Sequence, residues 1–344
     1  MTGSTATKPA ALSALLRRYS DLGEPLTCAP VPRGLLNHGW RLTTTRGRFF
    51  VKQYVAADTA DPAVIGRQHH ATRRLARLGV PAAAPLPDRA GGTVCVLGGT
   101  GYALFPWIEG RHREGTELTE AQSRRLGALL GRVHTALARV QPPAPTVVHP
   151  SADPDRTHAD IGRLLGLVRA HRRAQGPHAD FDALAEHRLL ERRALLRKHA
   201  HRRPPAAHGR VSGWVHGDFH PLNLLYRGDE PAAIVDWDRL GVKPRTEEAV
   251  RAAAIFFVDP DDGRLDLPKV RAYARAYRRA AGATRHEVAA AVHRVWWERL
   301  NDFWMLQWHY GRADHRSDPL FPAASALAVW WTEEYAAVRE AFTR

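Results

Sequence analysis

Two short stretches carry residue types at a spacing suited to chemistry: His216-Gly217-Asp218-Phe219-His220-Pro221-Leu222-Asn223, and Ile234-Val235-Asp236-Trp237-Asp238. Asp218 and Asn223 lie five residues apart, and Asp236 follows a β-branched pair that reads as a strand end. A carboxylate to orient a hydroxyl, with an amide oxygen and a second carboxylate to hold magnesium, is the set that phosphoryl transfer from Mg-ATP requires. On this reading Asp218 is the base, and Asn223 and Asp236 are the metal ligands. His216 braces the loop through backbone hydrogen bonds, and Asp238 is a supporting carboxylate. Lys52, flanked by Phe49, Phe50, Val51 and Tyr54, would project from a half-buried strand and neutralise phosphates. Taken alone, it reads as an edge-strand lysine reaching solvent. The loop from Gly34 to Gly39 matches neither a Walker A nor a full GxGxxG pattern.

The elements that must position these residues fall into two groups. Residues 10–20 carry Leu12, Leu15, Leu16 and Tyr19 at helical spacing after a frayed tail. Residues 40–45 and 48–54 flank Arg46-Gly47 and predict a hairpin with Lys52 in its second strand. A helix over 65–78, stopped by Gly79 and Pro81, precedes strands at 93–97 and 102–105. The pattern predicts a small antiparallel sheet with one helix against it. Beyond Glu109-Gly110 helices dominate: 119–137 with a Thr119-x-x-Gln122 capping box, most of 160–203, 246–258, 267–281, one long helix over 285–312, and 321–342. The expected fold is α+β and two-lobed, with a tail at 1–9, an N-lobe at 10–108 and a C-lobe at 109–344.

The 344 residues suffice for two lobes, and 44% hydrophobic with 25% charged describes an ordinary globular chain. Net charge is +15, but only five of the fifty basic residues are lysines. That arginine bias, alongside abundant alanine, reads as a GC-rich coding background and weakens the charge as evidence for nucleic acid, which is not the expected partner. The Arg- and His-rich segment 160–203 reads as a solvated helical hairpin with Leu164, Leu165, Leu167 and Val168 inward. Phe181 is its only aromatic residue, so a base-stacking surface is unsupported. Cys28 and Cys95 form no metal or disulfide cadence. No apolar run approaches a membrane span, and the first residues lack a signal-like apolar region, so a cytoplasmic location is expected.

HGDFHPLN followed by IVDWD resembles the HGDxHxxN…DxD pattern of the aminoglycoside phosphotransferase superfamily, which includes homoserine kinase type II and choline-kinase-like enzymes. These are relatives of the protein kinases, and Asp218/Asn223 repeats the spacing of their HRDxxxxN loop. NHGWRLTTTRGRFFVK, GVPAAAPLP, TGYALFPWIEG and LGALLGRVHTAL extend the similarity from about residue 10 onward. The resemblance implies a protein-kinase-like fold, ATP and Mg2+ as cofactors, and a small-molecule hydroxyl as acceptor. It implies that adenine pairs with backbone groups from Pro106 through Trp107 to Ile108, with Phe105 behind it. One departure stands out. The glutamate that family members place on the first-lobe helix to pair with the strand lysine falls on Gln68. An amide oxygen at that position would hold Lys52 less firmly than an ion pair, and Gln68→Glu is then expected to maintain or raise kcat/KM for ATP.

Two other readings use the same residues. A pseudokinase would bind nucleotide without transfer, with Gln68 as its support. A metal-dependent hydrolase would use His216-x-Asp218-x-His220 as ligands. For the acceptor, the aromatic segment 296–310 offers a wall, with Trp297, Glu298, Asn301 and Trp304 as candidate contacts. No carboxylate-rich pocket for a polycationic aminoglycoside is evident, which favours a small hydroxyl-bearing metabolite or natural product.

Overall fold

The computed structural model describes residues 9–31, 37–55, 61–175, 180–206 and 212–344. The expected tail through residue 8 and the loop residues 34–36 lie outside them. In chain order the elements are α1 (Pro9–Leu16), β1 (Pro25–Pro30), β2 (His38–Thr44), β3 (Gly47–Tyr54), α2 (Pro62–Arg77), β4 (Cys95–Leu97), β5 (Thr100–Pro106), α3 (Glu120–Val140), α4 (Pro154–Gln175), α5 (Asp180–His199), β6 (Ser212–Val215), β7 (Leu224–Arg227), β8 (Glu230–Ile234), β9 (Gly241–Pro244), α6 (Arg245–Phe256), α7 (Leu267–Ala281), α8 (Arg285–Asn301), α9 (Trp304–Arg312), α10 (Phe321–Glu333) and α11 (Tyr335–Thr343). The expected α+β class is what folds, with strands gathered early and helices late.

Two compact units interleave along the chain. The first is Met1–Arg113, Ala136–Pro143 and His216–Gly241; the second is Glu114–Thr135, Ala144–Val215 and Val242–Arg344. In the first, a five-stranded antiparallel sheet has the order β1-β2-β3-β5-β4. Side chains of a strand alternate between its two faces, and β3 shows the consequence. Val51 joins Leu15, Tyr19, Trp40, Leu42, Cys95, Tyr102 and Leu104 in a core on one face. Tyr54 and Ala103 pack with Ile65 of α2 on the other, the face to which Lys52 also belongs by register opposite Ala103. Burying Ile65 fully contributes roughly 1.5–3 kcal/mol to docking α2 on that face. Asp61 caps α2 by accepting from the Ala63 N–H (2.8 Å), Pro62 fits its first turn, and Gly79 at φ 77° follows its end.

The edge strand β1, bounded by prolines, was not expected from the sequence. In the second unit, the expected capping box starts α3: the Gln122 N–H donates to Thr119 Oγ1 (3.2 Å) and the Thr119 N–H to Gln122 Oε1 (2.8 Å). The Arg-rich segment forms α4 and α5, with Leu164, Leu165 and Val168 buried and Leu167 half-buried. The single long helix expected over 285–312 is two helices. Asp302 is extended (φ −103°, ψ 129°) and its Oδ1 accepts the Trp304 N–H (3.0 Å), which starts α9 afresh. The segment 321–342 likewise divides at Glu334, between α10 and α11.

Candidate active site

The chain leaves β6 and enters the first unit at His216. The next residue, Gly217, has φ 88°, and a Cβ there would lie 2.0 Å from the Arg239 carbonyl oxygen. Only glycine fits this turn. His216 is fully buried and both ring nitrogens are engaged: Nε2 with the Val235 carbonyl (3.0 Å) and Nδ1 as acceptor for the Asp218 N–H (3.2 Å). These bonds tie the Asp218 loop to the Asp236 segment. They also leave His216 without a ring nitrogen for a metal, so the His216-x-Asp218-x-His220 ligand set is not assembled.

Pro221–Asn223 makes one 3-10 turn, followed by the β7–β8 hairpin with Leu224 opposite Ile234. The hairpin register sets Asn223 beside Val235, whose N–H donates to the Asn223 carbonyl (2.9 Å). Asn223 Nδ2 donates to the Asp218 carbonyl (2.8 Å) and lies 3.1 Å from His220 Nε2, which leaves the amide oxygen as the free donor of electrons. Strand β8 is anchored in turn by the Ile234 N–H on Pro81 O (2.6 Å) and the Ala83 N–H on Ile234 O (2.9 Å). Asp236 itself adopts the left-handed region (φ 58°, ψ 66°), a conformation that aspartate tolerates better than most residues.

Lys52 Nζ is 2.7 Å from Asp236 Oδ1 and 2.7 Å from Asp238 Oδ2. Asp238 Oδ2 also accepts from Asn37 Nδ2 (2.7 Å), and Asn37 Oδ1 accepts the Val55 N–H (3.0 Å). The two aspartates differ in exposure: the Asp238 side chain is 12% exposed and that of Asp236 46%. Burial opposes the charge on Lys52, but the two carboxylates outweigh it and hold the ammonium above its ordinary pKa. Burial also disfavours ionised Asp236, and Lys52 overcomes that and lowers it. Asp238 is pushed up to about 6 by burial, which Lys52 only partly offsets, with the Asp236 charge adding to the rise. Asp218 lies 3.6 Å from His220 Nε2 and 3.8 Å from Arg239 Nε. Burial would raise its carboxyl, yet His220, His216 and Arg239 together hold it below the usual carboxylate range. Asp218 is thus an ionised acceptor at neutral pH. Asp236 and the Asn223 amide present hard oxygens, the donor type that suits magnesium.

Other expected residues are placed differently. Gln68 is buried, and its Nε2 donates to the Asp238 carbonyl oxygen (2.6 Å). It therefore does not serve Lys52 as the expected acceptor; the aspartates do. Phe105 and Pro106 pair with Phe50 and Phe49 across β3–β5, and the Trp107 N–H is spent on Arg48 O (3.0 Å). Pro106 has no N–H, so of the segment expected to meet adenine only Ile108 has an N–H to give. In the second unit, Trp297 is 1% exposed with its indole N–H on the Ala152 carbonyl, Glu298 pairs with Arg251, and Asn301 bonds Thr157 and Trp297. These three are packing and bracing residues rather than a shared acceptor wall, and Trp304 stands apart on a different cavity. Sequence reasoning missed Asn37, Arg239 and the Tyr54–His69 pair (2.9 Å) behind Lys52. Arg239, three residues after Asp236, was the one with a local signal.

Comparison with known proteins identifies the family and the fold. The sequence matches the family described as "Phosphotransferase enzyme family" over residues 27–283. A homoserine kinase of Burkholderia pseudomallei (strain 1106a) is 27% identical over 321 residues, covering 87% of each chain. One from Janthinobacterium sp. (strain Marseille) is 23% identical over 291 residues, covering 82% of this chain and 83% of the relative. Among solved structures, a spectinomycin phosphotransferase in complex with ADP and spectinomycin superposes with a TM-score of 0.61 at 13% identity, covering 98% of this chain and 100% of the other. An amicoumacin kinase in complex with AMP-PNP and Ca2+ gives 0.60 at 15% identity, covering 97% and 95%. The structural likenesses establish a kinase-like fold.

Proposed function

The chain belongs to the phosphotransferase enzyme family and carries out ATP-dependent phosphotransfer to a small-molecule hydroxyl; from that premise we propose that Asp218 is its base, that Asn223 and Asp236 hold magnesium, and that its acceptor is a small amino alcohol. The observation that carries the residue assignment is the β7–β8 hairpin, which bonds Asn223 to Asp218 on one side and to the residue before Asp236 on the other. Asp218, kept ionised by His220 and Arg239, accepts a hydrogen bond from the acceptor hydroxyl and aims its oxygen at the γ-phosphorus. As the new O–P bond forms and the bond to ADP breaks, the hydroxyl proton passes to Asp218. Lys52 supplies the cation for the nucleotide phosphates. A bound magnesium ion would neutralise charge on the transferring group. His216 and Gly217 fix the loop and take no part in bond changes.

The relatives support the acceptor class: the curated chains that match over four-fifths of the length or more include homoserine kinases. Homoserine is the first compound to test, with aminopropanol, choline and aminoglycosides beside it. A cytoplasmic location, where ATP is available, belongs to the same proposal. ATP consumption measured across this set should show acceptor-dependent turnover. Asp218→Ala should cut kcat by on the order of 10²–10⁴ while AMP-PNP binding persists. Nucleotide binding without acceptor-dependent turnover in the native protein would instead identify a pseudokinase.

A further inference from the structure

The second unit contains a cavity of about 70 Å³ where α5, the α8–α9 break and α10 come together, lined by Arg188, Arg192, Arg299, Asp302, Phe303 and Trp304 among others. Water needs at least about 10–15 Å³ of such space, so this one has room for a small polyatomic group. Its polar lining is dominated by guanidinium. Arg192 is 4% exposed. Its Nη atoms donate to the carbonyl oxygens of Arg299 and Ser325, and its plane lies over Phe303 (5.5 Å). Arg188 spends Nη1 on Glu191 (2.7 Å). The Nε atoms of Arg188, Arg192 and Arg299 are all buried with no hydrogen-bond partner.

Charge makes the arrangement more telling. Among the described residues, no carboxylate lies within ion-pair distance of Arg192 or Arg299. The carboxylate on the lining, Asp302, spends Oδ1 on the Trp304 N–H and lies beyond ion-pair distance; its charge, with those of Glu191 and Glu298, only partly offsets the burial that lowers Arg192 and Arg299. A buried guanidinium whose bonds go to neutral carbonyls keeps most of its desolvation cost. A planar fork with an unused Nε is the geometry that binds carboxylate or phosphate in pairs of parallel bonds. Phe303 and Trp304 add apolar and aromatic surface beside it.

We propose that this cavity is an oxyanion-binding site, taking the carboxylate or phosphate group of a small molecule between Arg192 and Arg299 with Arg188 at its side. The proposal does not rest on the reaction assigned above, since every residue belongs to the second unit and none to the Asp218 loop. The test is isothermal titration of the full-length chain, without nucleotide or divalent metal, against inorganic phosphate and, separately, benzoate. Saturable binding of either that the cavity variants weaken supports the site, and the tighter such ligand identifies the group it takes. Arg299→Gln should weaken that binding at least tenfold while thermal melting confirms a folded chain. Arg299 is the better variant because Arg192 braces two backbone carbonyls. Arg188→Gln should weaken it less, and it stands in if the Arg299 variant does not fold. Binding unchanged in both variants, or no saturation in the native chain, overturns the proposal.

Discussion

Gln68→Glu separates the pairing expected from the family pattern from the one in the structure. If the lysine only lacked its glutamate, the substitution would restore an ion pair and improve use of ATP. The structure predicts the opposite. Gln68 Nε2 donates to the Asp238 carbonyl at 2.6 Å in a buried position, and a glutamate offers no N–H there. The carbonyl loses its partner, at about 1–3 kcal/mol, and a third carboxylate joins Asp236 and Asp238 around one ammonium. A net loss of roughly 2–4 kcal/mol follows for the ionised form. A buried glutamate relieves this by taking a proton. Its folded-state pKa then lies above the unfolded one, so its stability share is present at low pH and lost as pH rises. Urea unfolding of native protein and Q68E at pH 8 and pH 5.5 tests the sequence of effects. Q68E should be weaker at pH 8, the gap should narrow at pH 5.5, and kcat/KM for ATP should fall. A variant as stable as the native chain at pH 8, with kcat/KM raised, would show that Lys52 readily exchanges Asp238 for residue 68 and would refute the reasoning.

Three further outcomes are expected. Gly217→Ala should abolish turnover and lower Tm, because its Cβ meets the Arg239 carbonyl at 2.0 Å and the φ of 88° is unfavourable to alanine; ATP consumption and calorimetry check both. Trp297→Ala should destabilise by about 3–5 kcal/mol with little change in acceptor KM for whatever enzyme remains folded, as measured by urea unfolding and steady-state kinetics. His69, buried with Lys52 near it, is lowered to about 3. It stays neutral when folded while its unfolded counterpart takes a proton below about 6.5, so stability is lost as pH falls from about 6.5 towards 3. In His69→Gln the slope of unfolding free energy against pH over 4–7 should be shallower.

The parts of the molecule legible in the sequence are those set by local pattern. The β2–β3 hairpin follows from two β-rich runs around Arg46-Gly47, α2 from its apolar spacing and the Gly79 stop, and α3 from its capping box. The loop carrying Asp218 and Asn223 was legible because its residue types are rare together. What escaped depends on contacts far apart in sequence. Gln68 and Asn37 find their partners at residue 238, and no spacing rule connects them. The α8–α9 break hid because Trp304 and Trp308 continue the aromatic rhythm of Trp296 and Trp297 across it. The signal was Asn301-Asp302, two residues suited to a helix end and a new cap. Strand β1 escaped because proline at both ends argues against a strand except at a sheet edge, which is where it lies.

The interleaving of the first unit also bears on how the protein is made. Its sheet is complete by residue 106, but the segment that bonds to Lys52 is 184 residues further along than the lysine. At roughly 5–20 residues per second on a ribosome, the sheet waits on the order of 10 seconds or more before residues 216–241 emerge. Until then Lys52 has neither carboxylate, and burying its ammonium is unfavourable. The half of the unit formed by residues 216–241 therefore closes last during synthesis, and a chain truncated before Asp236 would have a sheet with an uncompensated lysine.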